Sequence, residues 1–126
     1  MEVRDDRHYT EEHEWIQPVG DTGVRVGITD YAQDQLGDIV FVALPEVGKE
    51  FAKGDTMAEV ESTKSVGEIY APMAGTVSEI NGALSERPEL INQDPFGEGW
   101  IVVLDIGEAP SPDGFLDAAA YTALTE

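Results

Sequence analysis

The sequence contains no cysteine, and this absence removes several classes of function at once. Without a thiol, no disulfide framework, cysteine nucleophile or cysteine-ligated zinc site can form. Histidine is nearly as scarce, since only His8 and His13 are present. His13-Glu14 begins like a zinc-protease motif, but Gln17 stands where that motif requires its second histidine. We therefore expect no metal site, and we expect His13 to be a hydrogen-bonded strand residue.

Positive charge is also scarce, because 7 Lys plus Arg face 26 Asp plus Glu and the net charge is −19. This balance argues against nucleic acid and anionic membranes, which need clustered Lys and Arg. Partners should present basic surfaces, and their association should depend on salt. No apolar run approaches a membrane span. Residues 1–8 lack a signal-peptide core and are too acidic for a transit peptide, so we expect a cytoplasmic protein.

With 126 residues, the chain is expected to form a single domain, 1–126. Short alternating segments separated by turns favour an antiparallel sandwich or flattened barrel over a parallel α/β sheet. Residues 24–28, 76–80 and 100–106 are the clearest strands. Residues 38–44 are apolar at nearly every position, which predicts a strand buried on both faces. Asn81-Gly82 predicts a hairpin turn after the strand at 76–80.

Helices are predicted to be few and short. Thr29 or Asp30 can cap a helix that runs to Leu36 and ends at Gly37. Pro88 limits the segment around it to a short helix at best. A C-terminal helix is predicted at about 112–125, where apolar residues recur at helical spacing.

The segment 58–77 holds a lysine between two strand-like stretches. Ser and Thr hydroxyls favour a tight turn at 62–65, which would present Lys64 at a hairpin tip. A lysine in a turn is ordinary by itself. Here the frame around it, Lys53-Gly54-Asp55 before and Pro72-x-x-Gly75 after, resembles that of lipoyl and biotinyl carrier domains. Biotinyl carriers place Met on both sides of the lysine, and this chain does not.

A wider set of motifs extends along the chain. The motifs are His13-Glu14-Trp15, Val26-Gly-Ile-Thr-Asp-Tyr-Ala-Gln33, Leu36-Gly-Asp-Ile-Val-Phe-Val42, Leu44-Pro-Glu-Val-Gly48, Glu61-Ser62-x-Lys64, Pro88-x-Leu90-Ile-Asn92 and Pro95-Phe-Gly-x-Gly-Trp100. Together they resemble the H protein family of the glycine cleavage system. The resemblance implies a mainly β fold, a barrel-sandwich hybrid of two small antiparallel sheets with short helices and a C-terminal helix. It also implies a lipoyl-binding core at about 22–104.

By that resemblance, Lys64 is the attachment site of lipoic acid. The resemblance also implies a cleft beside the hairpin, bordered by Glu14, Ile28, Tyr31 and Glu68, in which Glu14 would accept a hydrogen bond from an ammonium group on the arm. The alternative for Glu14 is one more solvated surface charge. The chain departs from the family in having Thr63 and Ser65 where Val and Ala are usual, and Gly67-Glu68 where Ser-Asp is usual.

The family implies a carrier that other enzymes modify and then use as a substrate. Lipoate ligase or octanoyltransferase would load the lysine. Glycine dehydrogenase (decarboxylating) would then pass an aminomethyl group to the arm, aminomethyltransferase would remove it, and dihydrolipoamide dehydrogenase would reoxidise the dithiol. A lipoyl or biotinyl module of another complex is the alternative, although such modules are shorter and lack the segments around His13 and Asp30. Nothing in the residues supports a free-standing enzyme. The strong acidity leaves two explanations open, adaptation to high salt or the ordinary acidity of the family.

Overall fold

The computed structural model describes residues 2–125, in which nine strands and four helices form two antiparallel sheets with helices around them. The six-stranded sheet has the order β1-β2-β3-β9-β8-β5, and the three-stranded sheet has the order β4-β6-β7. Neither sheet closes into a barrel within this range. The elements are β1 His8–Tyr9, β2 Glu14–Val19, β3 Gly23–Ile28, α1 Asp30–Leu36, β4 Ile39–Ala43, β5 Glu50–Phe51, β6 Thr56–Ser62, β7 Val66–Tyr70, β8 Gly75–Ile80, α2 Ala83–Glu86, α3 Leu90–Gln93, β9 Val102–Asp105 and α4 Ala118–Thr125.

One apolar cluster joins the two sheets. Val26 and Ile28 from β3 belong to it together with Val42, Val60 and Ile69 from the three-stranded sheet, and all five are at most 4% exposed. Each such side chain contributes about 1.5–3 kcal/mol when it leaves water. The mainly β fold of two antiparallel sheets with short helices is confirmed.

Helix α1 begins and ends as predicted. The Thr29 hydroxyl accepts a hydrogen bond from the Ala32 N–H, and Gly37 ends the helix with φ 84°. Around Pro88 the chain forms two helices of four residues each, α2 and α3. Their shortness agrees with the prediction that Pro88 limits this segment to short helices. None of the helices described for residues 2–125 is long and apolar enough to span a bilayer.

The prediction that 38–44 is buried on both faces is wrong. A β-bulge lies between Ile39 and Phe41 where β4 pairs with β6. The bulge turns two consecutive apolar side chains outward, so Val40 is 54% exposed and Phe41 is 51% exposed. The inner face of the strand is still buried at Ile39 and Val42.

The hairpin predicted at Asn81-Gly82 is also wrong. Gly82 has φ −60°, whereas a tight Asn-Gly hairpin turn requires positive φ. The side chain of Asn81 instead donates two hydrogen bonds, to the carbonyls of Glu98 and Trp100, each at 2.7 Å. These bonds fix the end of β8, and the chain enters α2 before it returns as β9.

The C-terminal helix begins at Ala118 rather than near residue 112. Upstream, Leu116 exchanges two backbone hydrogen bonds with Tyr9, so its backbone is extended and cannot be helical. The Asp117 carboxylate then accepts the Ala120 N–H and caps the helix. The ring of Tyr121 stacks on Tyr9 at 4.6 Å, which fixes α4 against the six-stranded sheet.

The acidic surface carries few ion pairs. Within residues 2–125 the ion pairs are Arg4 with Glu2 and Arg7 with Asp6, both near the N-terminus. The other carboxylates repel one another, and salt screens this repulsion because the Debye length falls to ~3 Å at 1 M.

We expect the melting temperature to rise by several degrees between low salt and 1 M NaCl, since about 1 kcal/mol shifts it by ~4 °C in a chain of this size. Calorimetry in NaCl and KCl measures the shift and separates screening from effects of one ion. A flat melting temperature would reject adaptation to high salt.

Candidate functional site

Lys64 lies at the exposed tip of the hairpin that joins β6 to β7. The Ser62 hydroxyl accepts hydrogen bonds from the N–H groups of Lys64 at 3.2 Å and Ser65 at 3.0 Å. The Ser62 N–H donates to the Ser65 carbonyl at 2.8 Å, and the Thr63 N–H donates to the Asp38 carbonyl at 3.2 Å. The predicted serine-bonded turn is confirmed, and its backbone is tied to the segment that precedes β4.

The tip rests on residues 36–39, which we call the tip support. The Leu36 side chain packs beneath Gly67, where an added Cβ would lie 3.2 Å from the Leu36 Cδ2 atom. The Lys64 side chain lies along Gly37, where an added Cβ would be 3.4 Å from the lysine Cε atom. The absence of a side chain at Gly67 leaves room for Leu36.

Asn92 holds the tip support in place. Its Oδ1 atom accepts the Ile39 N–H at 2.8 Å, and its Nδ2 atom donates to the Gly37 carbonyl and to the Gln33 Oε1 atom, both at 2.9 Å. One side chain therefore joins the end of α1 to the start of β4 directly beneath the lysine turn. Asn92 belongs to one of the motifs found in the sequence. Its structural role could not be predicted there, because its partner Ile39 lies 53 residues away.

Asn92→Asp should loosen the lysine turn, because the carboxylate loses both N–H donors and faces the Gly37 carbonyl. We expect the Thr63 amide proton to exchange about tenfold faster, since a lost hydrogen bond with an unsatisfied partner costs about 1–3 kcal/mol. Amide exchange followed by NMR measures this. Asn81→Asp is the matched control, because it also removes two hydrogen bonds that a side-chain amide donates, here to the carbonyls of Glu98 and Trp100. Equal acceleration in both variants would mean that the effect is global.

Glu14 is a buried carboxyl at the start of β2, opposite Ile28 in β3. It is 1% exposed. Its Oε2 atom accepts the Tyr70 N–H at 2.6 Å, and its Oε1 atom accepts the Thr10 hydroxyl at 3.2 Å. Burial nevertheless raises the pKa of Glu14 to about 7, because the two hydrogen bonds only partly offset the lost hydration. No cation of residues 2–125 lies within ion-pair distance of it.

Glu14 lines a cavity of about 580 Å³, a size in the range of small-molecule sites. Glu11 and Glu12 add further carboxylates to its lining, and Pro72 and Phe115 add apolar side chains. This combination suits a ligand with an apolar chain that ends in a positive charge.

The other residues predicted to border the cleft differ in how they lie relative to Glu14 and the cavity. Ile28 is the register partner of Glu14 and is 2% exposed, so it packs beneath the site. Glu68 accepts a hydrogen bond from the Tyr70 hydroxyl at 2.8 Å and connects to Glu14 through that residue. The Tyr31 ring packs on His13 at 4.7 Å. Like Ile28 and Glu68, it lies outside the cavity lining.

Residues that the sequence analysis did not single out also form the cavity. Tyr70 and Thr10 bond directly to the Glu14 carboxyl, and Phe115 adds an apolar side chain to the lining. The alternation of β7 could have indicated Tyr70, because it shares the outer face with Glu68 two residues earlier. Phe115 lies far away in sequence and carries no such signal.

His13 is hydrogen bonded as expected, but it is not a strand residue. It precedes β2 with φ 66°, because its N–H bonds back to the Thr10 carbonyl in a turn. Its Nδ1 atom lies 2.9 Å from the Tyr121 hydroxyl, which also bonds to Thr29. Burial lowers the pKa of His13. Among residues 2–125 no cluster of His, Asp and Glu is suited to a metal ion.

The family model described as Glycine cleavage H-protein matches residues 7–126. The chain belongs to this family. It is 53% identical over 129 residues to the glycine cleavage system H protein of Mycobacteroides abscessus, covering 99% of this chain and 98% of that one. It is 54% identical over 126 residues to the H protein of Thermus thermophilus, covering 100% and 98%. A crystal structure of the H protein from Mycobacterium marinum matches with a TM-score of 0.86 at 41% identity, covering 98% of both chains.

The predicted family and fold are thereby confirmed. H proteins are the lipoyl carriers of the glycine cleavage system, and shuttling between the enzymes of that system is inherent to the family. An H protein is a carrier rather than a catalyst and bears lipoate on a lysine.

Titration of Glu14 should be visible in the stability of this H-protein family member. Its carboxyl has a higher pKa folded than its ordinary value of 4.5, so the folded state holds more protons between pH 4.5 and about 7. The free energy of unfolding must fall as pH rises through that window, by roughly 3 kcal/mol from this group. Urea unfolding of wild type and of Glu14→Gln at several pH values in this window isolates the contribution of Glu14 to the free energy of unfolding. If the free energies of unfolding of the two proteins differed by the same amount at every pH, this would contradict the raised pKa of Glu14.

Proposed function

We propose that this chain is the lipoyl-lysine carrier of a glycine cleavage system and that Lys64 is the residue that bears the arm. The supporting observation is that Lys64 is the lysine at the tip of a hairpin, exposed and placed by an organised turn. The other two lysines lie elsewhere. The Lys49 Nζ atom is over the ring of Phe51 at 5.2 Å, and Lys53 lines the cavity.

The hairpin makes the Lys64 amine accessible to a transferase. Acylation requires a deprotonated amine, so the modifying enzyme has to enclose the Lys64 Nζ atom in its own site. An exposed turn allows this without unfolding the carrier. An amide with the carboxyl group of lipoic acid then removes the charge of the lysine and leaves a long arm that ends in a dithiolane.

The position and the lining of the cavity support a role in holding such an arm. β7 runs from the lysine turn to Tyr70, whose N–H bonds to Glu14, so the hairpin and the cavity share a strand. Apolar lining residues such as Phe115 suit the hydrocarbon part of the arm, and the Glu14 carboxyl suits an ammonium at its end. Glu14 would hold the charged end, and the walls would exclude water.

When bound, the lipoyl group supplies the transfer chemistry, by accepting an aminomethyl group and later being reoxidised from the dithiol. The partners in this proposal are glycine dehydrogenase (decarboxylating), aminomethyltransferase and dihydrolipoamide dehydrogenase, with lipoate ligase or octanoyltransferase as the modifying enzyme. The chain itself presents and shelters the arm and catalyses nothing. The lipoyl-binding core would be residues 22–104. A cytoplasmic location stays a prediction.

Reconstitution tests the proposal. The lipoylated chain should support glycine-dependent NADH formation with the three partner enzymes and tetrahydrofolate, and the unmodified chain should not. A 2-oxoacid dehydrogenase complex that lacks its own lipoyl module serves as the comparison. Activity there without activity on glycine would assign the chain to another lipoate-dependent system.

A further inference from the structure

A row of exposed apolar side chains lies directly beside the lysine turn. Phe41 in β4 pairs with Glu61 in β6, which pairs with Val66 in β7. Residues directly opposite one another share a face of the sheet, so these three lie side by side on the outer face. The bulge adds Val40 to the row. Val66 is two residues beyond Lys64, so the row meets the hairpin tip.

The exposure of this row is large. Phe41 is 51% exposed, Val40 is 54% exposed and Val66 is 53% exposed. In residues 2–125 the other exposed large apolar side chains are Val47, in the loop after β4, and Leu124, in α4. Single exposed apolar residues are common on protein surfaces, but adjacent ones framed by polar groups indicate an interaction site.

The next row on the same face is acidic. Glu59 pairs directly with Glu68 across β6 and β7. Like charges directly opposite destabilise a sheet, and neither carboxylate forms an ion pair within residues 2–125. Glu61 adds a third carboxylate between the apolar side chains. A partner with an apolar centre flanked by Lys or Arg would complement this surface.

We propose that the row Val40, Phe41 and Val66, with Glu59 and Glu68 beside it, is the docking surface for the enzyme that acylates Lys64. The inference rests on the proposed function, in which Lys64 is the acylated residue. A lysine side chain extends only about 6 Å from the backbone, so an enzyme that takes up the Nζ atom has to cover the turn and the row next to it. Enzymes that use the finished arm meet its far end and can dock farther away.

Kinetics of acylation with purified lipoate ligase, ATP and lipoate test the proposal. Phe41→Ser should lower kcat/KM about tenfold, mainly through KM, because it removes apolar contact and leaves the lysine unchanged. Val47→Ser is the matched control. It removes a side chain that is 60% exposed in a loop outside the row, and it should change kcat/KM less than twofold.

A charge variant tests the acidic part of the same surface. Glu59→Gln should lower kcat/KM about threefold at low salt. Near 1 M salt, where charges are screened, the ratio of its kcat/KM to that of wild type should approach one. A ratio that does not depend on salt would contradict the basic character of the partner.

Phe41→Ser that has been fully lipoylated with excess ligase should be reoxidised by dihydrolipoamide dehydrogenase at the wild-type rate. Equal acylation of Phe41→Ser and wild type would overturn the proposal, as would an equal loss in Val47→Ser. A matching loss in reoxidation would assign the surface to the reoxidising enzyme instead. Wild type that is acylated elsewhere than at Lys64 would refute the proposed function itself.

Discussion

Lys64→Arg should fold normally and lose all lipoylation, and with it all glycine-dependent NADH formation. The side chain is exposed and lies along Gly37 without filling a core position, so the free energy of unfolding should change by no more than about 0.5 kcal/mol. Arginine retains the positive charge, but its guanidinium group is not acylated by a lipoate ligase. The loss is therefore chemical rather than structural. Intact mass after incubation with ligase and a thermal melt together measure the two effects.

Lys49→Arg and Lys53→Arg are the matched controls, because they change the other two lysines of the chain in the same way. Both should be lipoylated as fast as wild type. Retained lipoylation of Lys64→Arg, or its loss in either control, would show that the hairpin lysine does not bear the arm.

Glu14→Ala should leave lipoylation and reoxidation nearly unchanged but shorten the lifetime of the aminomethyl-loaded protein by roughly tenfold or more. Glu14 is 1% exposed, so the alternative of a solvated surface charge is wrong. A sheltered hydrogen bond to a charged group is worth about 1.5–3 kcal/mol, which corresponds to a factor of roughly 10 to 150. The measurement is ammonia release from purified loaded protein without the partner enzymes.

Glu14→Gln separates charge from shape, because its amide oxygen can still accept the Tyr70 N–H. It should release ammonia nearly as fast as Glu14→Ala. Since the pKa of Glu14 is raised to about 7, the carboxyl becomes neutral as pH falls below that value. The ratio of wild-type to mutant lifetime should therefore shrink from pH 8 to pH 6. Equal lifetimes at every pH would mean that Glu14 does not hold the loaded arm.

Features set by local chemistry could be predicted from the sequence. Thr29 caps α1 and Gly37 ends it because capping depends on residues within one turn. The lysine turn formed as expected because Ser62 bonds to residues two and three positions ahead. The alternating segments predicted an antiparallel β fold, and the motifs spread over the chain predicted the family's form of it.

Features that depend on distant partners could not be predicted. The bulge that exposes Val40 arises from how β4 pairs with β6, and a run of apolar residues gives no sign of it. Leu116 was predicted to be helical but pairs with Tyr9 from the other end of the chain. The raised pKa of Glu14 has the same origin, because it depends on burial by segments that are distant in sequence.

Peptide mapping of the wild-type chain after lipoylation shows directly which lysine bears the arm. The unmodified chain is incubated with lipoate ligase, ATP and lipoate, and is then digested with trypsin and analysed by mass spectrometry. We expect one lipoyl group per chain, on Lys64, with loss of tryptic cleavage after that residue. A lipoyl group on Lys49 or Lys53, or a chain that is well folded and remains unmodified, would contradict it.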